Sequence, residues 1–316
     1  MQKWRDSKPK NPDGLTTGEV QQHLSLGREP NAVLSIISST GQEDDSFFLP
    51  QAWDTNLGPT RGTNTDDFAA MKSYLKMDSK TVKTITFREN TSGSVTVEYS
   101  NLSNSKYTDV NGNDISIAKI RLTYNIGSSN IKHGIIIFSD PTDGFGELGV
   151  GNITLSNFSF YDQSGNKINL SNNSAYLAVT SLNNHGNGLI ETVTAGNNTK
   201  AYTLAGSSIS NHDGSLYADQ ENDADRSGSS WKSVEHGGAN WDNKGPNEYY
   251  GTGILSLSGT DFGMTFSYQN IDKDRGIQQS NGAYGPWFTF TTVIPETPTP
   301  KRKTTEIHYH YNTERE

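Results

Sequence analysis

The sequence predicts a mainly β fold, a sandwich of short strands joined by long polar loops, on three observations. Apolar residues make up only 31% of the 316-residue chain while aromatics reach 10%, so the core has to come from aromatic and β-branched side chains rather than from leucine-rich helices. Apolar and polar residues alternate along short runs, the period of a half-buried strand. Turn sequences such as NTSG, DVNGND and NIGSSN separate those runs.

Taken in order, residues 1–27 read as a polar lead-in, with LTTGEVQQHLSLG open to either a short helix or an edge strand. The core starts near EPNAVLSIIS, where Val33, Ser35 and Ile37 interleave with Leu34 and Ile36. A run apolar on both parities is buried on both faces or bulged. NTDDFAAMKSYLKM is the best helix candidate, with Asp66 and Asp67 in its first turn and Phe68, Met71 and Leu75 on one face. KTVKTITF, SVTVEYS, ISIAKIRLTYNI and HGIIIFS then follow as strands, and in SVTVEYS the residues Val95, Val97 and Tyr99 share a face. ITLSNFSFYDQSGNKINL reads as a hairpin turning at DQSGN. SAYLAVTSLNN, KAYTLAGSSIS, YYGTGILSLSG, GMTFSYQN and GPWFTFTTVIP complete the set, a spacing that suits a β-sandwich. Pro295, Pro298 and Pro300 then mark an extended linker. The resulting division is a lead-in at 1–27, a sandwich at 28–295 and a linker at 296–316 toward a following module.

No run of about 18 apolar residues is present, so no segment is built to insert into a membrane as a helix. The opening MQKWRDSKPKNPDG lacks the apolar centre of a signal peptide. The chain has no cysteine and is indifferent to redox compartment. Its net charge of −9 opposes a nucleic-acid partner at first sight. The charge is uneven, however. Residues 71–134 hold nine basic side chains against five acidic ones, a net of +4. Lys72, Lys76, Lys80, Lys83, Arg88, Lys119, Arg121 and Lys132 in this stretch form either a basic groove for phosphates or ordinary solvated strand faces.

Residues 214–241 concentrate chemistry. Asp219, Glu221, Asp223 and Asp225 fall at every second position, an arrangement that one strand face would not tolerate. Asp223 and Asp225 match the first half of a calcium loop, but Val234 stands where the bidentate glutamate belongs. The expectation is a structural divalent cation, calcium or magnesium, on Asp223 and Asp225, or a surface loop whose carboxylates pair with Arg226 or Lys232. Trp231 and Trp241 lie in this loop as candidate stacking platforms for sugars or bases, whereas Trp287 reads as core. SLNNHGNG at 181–188 follows an apolar strand, and Ser181 and Asn183 offer neutral donors and acceptors for hydroxyl or phosphate recognition, or else form a plain turn. HYHYN at 308–312 reads as linker rather than metal site. No Walker loop, HExxH, nucleophile elbow or cysteine nucleophile occurs, and no carboxylate pair stands out for glycoside chemistry, so the expected role is not that of an enzyme.

YADQENDADRSGSSWKSVEHGGANW, PNEYYGTGILSLSGTDFGMTFSYQN and SNGAYGPWFTFTTVIP, with SLGREPNAVLSI, SLNN, AGNNTK and GSSIS, resemble the glucan-binding-protein-C/antigen I/II variable-domain family of Gram-positive surface adhesins over residues 25–295, and within it the aggregation-substance branch. That resemblance implies a lectin-like β-supersandwich with a central ligand crevice holding Ser181 and Asn183. It implies a wall-anchored extracellular protein, held through parts of a parent chain absent here. The implied ligands are extracellular DNA and lipoteichoic acid, bound in cell aggregation and biofilm formation, or alternatively neutral glycans and host glycoproteins.

Overall fold

The computed structural model describes residues 14–44, 78–130, 132–149, 151–184, 189–222, 241, 247–270 and 287–298. Its strands form two eight-stranded antiparallel sheets and one of three strands. In spatial order, sheet I consists of Thr199–Thr203, Gly253–Gly259, Leu170–Thr180, Trp287–Thr291, Phe145–Leu148, His133–Phe138, Val82–Phe87 and Gln42–Glu43. Sheet II consists of Ile209–His212, Ser215–Ala218, Leu189–Ala195, Phe262–Asn270, Asn152–Tyr161, Lys119–Ile126, Gly93–Ser100 and Val33–Ser39. The small sheet joins Leu24–Ser25, Lys106–Thr108 and Asp114–Ser116. Among the described residues the helical elements are 3-10 turns at Thr17–Glu19, Pro141–Asp143 and Glu248–Gly251. The helix expected over 64–77 lies outside the described residues.

The two large sheets face each other because each strand carries one apolar parity. Val95, Val97 and Tyr99 are buried while Thr96 and Glu98 face outward, as the alternation predicts. Lys119–Ile126 repeats the pattern without a break, with Ile120, Leu122, Tyr124 and Ile126 buried. At the centre, Phe145 and Phe288 of sheet I meet Tyr124 and Phe266 of sheet II. The Phe145 ring lies 5.2 Å from that of Tyr124 and 5.2 Å from that of Phe266 in edge-on contact, and Phe266 lies 4.9 Å from Phe288. Such contacts favour edge-to-face geometry and add to the burial of large rings.

Three sequence expectations change on folding. The Val33–Ser39 run is an edge strand, not one buried on both faces: Val33 and Ile37 are each 50% exposed. The bulged alternative holds, because the register slips between Ile36 and Ser38. The DQSGN turn forms, with Asp162 N–H bonded to Asn166 O at 2.9 Å and Gly165 at φ +83°. Beyond the single Tyr161–Lys167 bridge, however, the chain leaves sheet II and enters sheet I as Leu170–Thr180. The lead-in is also less separate than its polarity suggested. Leu24 and Leu26 are buried on either side of exposed Ser25, and Thr17 exchanges hydrogen bonds with Thr297 while its hydroxyl donates to Pro295 O at 2.8 Å.

Buried carboxylates tie the loops of the Val82 side together. Glu29, 1% exposed, accepts Ser103 N–H at 2.9 Å, Asn104 N–H at 2.7 Å and Ser105 Oγ at 2.8 Å. Its own N–H donates to Asp140 Oδ2 at 2.7 Å. Asp143 Oδ2 in turn accepts Asp78 N–H, Ser79 N–H and Ser79 Oγ. Desolvation raises the Asp140 pKa, against hydrogen bonds from Thr142. Glu29→Ala strands three donors at once and is expected to cost about 3 kcal/mol by chemical denaturation. A loss below about 1 kcal/mol would mean that water replaces the carboxylate at no penalty.

Candidate binding site at the crossover end

The alternation that builds the core also builds the site. Phe145, Val193 and Phe266 face the core, so two residues further along the same strand faces come Glu147, Glu191 and Tyr268. Glu191 and Tyr268 are register partners in sheet II. Two of the links from sheet I to sheet II start here: Leu148 leads to Asn152, and Thr180 leads through Ser181–Asn184 to Leu189. The apolar interior thus gives way to polar side chains where the chain crosses between sheets.

Ser181 ends its strand at φ +63°, a left-handed conformation that turns the chain. Ser181 and Asn183 were expected on one strand face. They are brought together instead by this turn, with Asn183 Nδ2 donating to Ser181 O at 3.1 Å. Asn183 N–H and Nδ2 also donate to Glu191 Oε2 at 2.9 and 3.1 Å. Asn184 N–H donates to Asn222 Oδ1 at 2.6 Å, and Asn222 Nδ2 reaches Leu182 O at 3.1 Å and Ser208 Oγ at 2.9 Å. The start of the acidic loop is therefore pinned to the crossover by a fully buried asparagine.

Glu147 is the anomaly. It is wholly buried, and among the described residues neither carboxylate oxygen has a hydrogen-bond partner; Asn183 Oδ1 is likewise buried and unpartnered among them. Burial first, and the neighbouring Glu191 charge second, push the Glu147 carboxyl well above its ordinary range. Glu191, which accepts two N–H groups, is the member suited to carry the charge, and Glu147 the member suited to hold a proton. The same oxygens fit a hard divalent cation, which prefers carboxylate and amide oxygens and would neutralise the pair. Among the described residues no cluster of three or more His, Cys, Asp or Glu groups as metal ligands.

Trp241 is not the open platform the sequence suggested. It is 1% exposed, with its ring 5.9 Å from Tyr250 in edge-on contact and packed so closely on Gly251 that a Cβ there would fall 1.9 Å from it. Its loop position hid a packing role. Asp219 lies just past the end of the Ser215–Ala218 strand; it accepts Ser210 Oγ at 2.6 Å and pairs with His212 at 2.7 Å. Asp223, Asp225, Trp231, Lys72 and Lys76 lie outside the described residues.

The described cations do not share one face. Lys119 and Arg121 project from the outer side of sheet II and both engage Glu98, whose carboxyl they hold below its usual range against the desolvation that opposes its charge. Lys83 pairs with Glu43 and Lys132 with Asp44 at 2.7 Å, both beside the Gln42–Glu43 edge of sheet I. Lys80 Nζ donates to Asn31 Oδ1 at 2.7 Å. Arg88 lies exposed just past the Val82–Phe87 strand. Solvated pairs like these contribute little stability and neutralise the local charge.

Sequence reasoning passed over Glu147, Glu191 and Asn222. LIETVT carried a usable signal: Glu191 shares the parity of buried Val193, and an acid on a core-facing position calls for a partner.

A family model for glucan-binding protein C matches residues 7–291. The fold resembles that of glucan-binding protein C of Streptococcus mutans, with a TM-score of 0.57 at 22% identity over 96% of this chain and 87% of that one; that structure is presented as evidence for sucrose-independent and sucrose-dependent adherence. The adhesin domain of PrgB from Enterococcus faecalis gives a TM-score of 0.58 at 19% identity over 92% and 95% of the two chains. The same domain bound to DNA gives 0.56 at 19% over 90% and 96%.

Because the Glu147 carboxyl is raised in the folded state, the native protein holds that proton more tightly than the unfolded chain. Wild-type stability therefore falls as pH climbs from about 4.5 through the raised value. In chelator, Glu147→Gln is expected to match wild type below pH of about 4 and to melt at higher temperature at neutral pH. Thermal melts across that range check it; a variant less stable at neutral pH would show that the carboxylate is already compensated.

Proposed function

The chain belongs to the glucan-binding protein C family, and we propose that it is an extracellular adhesin module that captures extended polymers at the crossover end of its sandwich. One observation carries this reading: core-facing positions turn polar where the chain crosses between sheets, leaving Asn183 Oδ1 and both Glu147 oxygens without partners among the described residues. Neutral amide and hydroxyl groups around a carboxylate pair suit a ligand rich in hydroxyls, which both donates and accepts. Glycans, host glycoproteins and the polyol chain of lipoteichoic acid belong to that class. A divalent cation on Glu147, Glu191 and Asn183 would cancel the negative charge of the pair and extend the same site to phosphates. The role is one of binding and bridging without turnover, in cell aggregation and biofilm formation, by a protein held to the cell wall through other parts of its parent chain.

A second reading, direct capture of extracellular DNA or of the phosphates of lipoteichoic acid, is favoured by the likeness to an adhesin domain bound to DNA. It requires the basic residues of 71–134 to act despite their carboxylate neighbours. Salt separates the two, because phosphate contacts release counterions and weaken steeply as salt rises.

The deciding experiment is fluorescence anisotropy with a labelled neutral glucan, lipoteichoic acid and a random DNA duplex, at about 50 and 200 mM salt. The doubly substituted Ser181→Ala, Asn183→Ala protein is expected to lose about tenfold or more in affinity for the hydroxyl-rich ligands, with little dependence on salt. DNA binding that falls steeply with salt and ignores the double substitution would transfer the function to the basic residues. Failure of all three ligands to bind would overturn the adhesin reading at this site.

A further inference from the structure

Val33–Ser39 closes one side of sheet II, and among the described strands only Gly93–Ser100 pairs with it. An open strand edge is a template for another strand, and proteins usually guard it with lysine, proline, inward charges or a bulge. Here the seven residues VLSIISS contain no charge and no proline, and a bulge is the one such guard on the strand itself. The bulge leaves Ile37 opposite no residue of the neighbouring strand and turned to solvent. Val33 and Ile37, each 50% exposed, are two of the four exposed large hydrophobic side chains among the described residues.

The pattern is self-complementary. If two such strands run antiparallel about a two-fold axis at Ser35, Val33 faces Ile37 of the other copy, Leu34 faces its Ile36, and Ser35 faces its Ser35. Apolar therefore meets apolar on both faces, and a hydroxyl meets a hydroxyl at the axis. Nearby charges are partly matched within each copy: Lys83 pairs with Glu43 and Lys132 with Asp44, while Lys80 donates to the neutral Asn31 amide and keeps its charge. We propose that this edge is a homotypic docking site, at which two copies of the chain join sheet II to sheet II by antiparallel pairing of Val33–Ile37. A patch of five residues gives a weak pair in solution. Many copies displayed on facing cells would add such pairs into a firm, reversible contact.

The absence of cysteine allows a direct test on the whole chain. Ser35→Cys places a lone thiol at the proposed axis, where directly opposed Cβ atoms approach to disulfide range. Under mild oxidant this variant is expected to form a covalent dimer about tenfold faster or more than Val110→Cys, a similarly exposed thiol away from the edge, because docking raises the local thiol concentration. Adding Ile37→Lys should reduce the rate to that of the control. Added salt should quicken the reaction by screening the net −9 of each copy, the opposite of its effect on polyanion binding. Equal rates for the two cysteine variants, or no effect of Ile37→Lys in a protein that still melts normally, would overturn the proposal, and neither result bears on ligand capture at the crossover end.

Discussion

The contact on which the molecule depends is the aromatic cluster of Phe145, Phe288, Phe266 and Tyr124, which locks sheet I to sheet II. Everything else takes its place from this layer. Because strand side chains alternate, fixing Phe145 inward also fixes Glu147 inward, and fixing Val193 and Phe266 inward does the same for Glu191 and Tyr268. A one-residue slip would turn the acids out to water and the rings with them. The polar end is thus a direct continuation of the core, and its strain is borne by the burial of large rings a few ångströms away.

A second constraint is polar satisfaction. Glu29, Asp140 and Asp143 are buried too, yet each is held by backbone N–H or hydroxyl donors. Set beside them, Glu147 stands out because nothing among the described residues donates to it. Buried acids with full donor sets hold loops in place, whereas a buried acid without one signals a proton, a cation or a ligand group. Electrostatics point the same way. The chain is acidic overall, and Lys83, Lys119, Arg121 and Lys132 sit beside carboxylates, so the function proposed for the crossover end relies on neutral donors and acceptors more than on charge.

The crossover end and the Val33–Ser39 edge lie on different parts of the sandwich, one where strands finish and the other along the side of a strand. The surface proposed for a polymer and the edge proposed for a second copy are therefore separate. The two differ in chemistry: hydrogen bonding around a buried acid pair at one, apolar side chains and open backbone at the other.

Much of the fold was legible in the sequence. The alternation in SVTVEYS and KIRLTYNI named the buried face residue by residue, the turn sequences located the breaks, and the long quoted segments carried the family. Ser181 and Asn183 were also visible as a polar pair ending an apolar strand. What the sequence by itself determined was local: strand period, turn chemistry, and the absence of cysteine and of any long apolar segment. Only the tertiary structure decided which strands share a sheet, since DQSGN closes a tight turn whose second arm departs for the opposite sheet. It also decided that Trp241 packs against Gly251, that the cations are divided between two sheets, and that Glu147 and Glu191, 44 positions apart in the sequence, meet. The physical reason is that alternation states which face a side chain takes, while only the packing of one sheet on another states what that face meets.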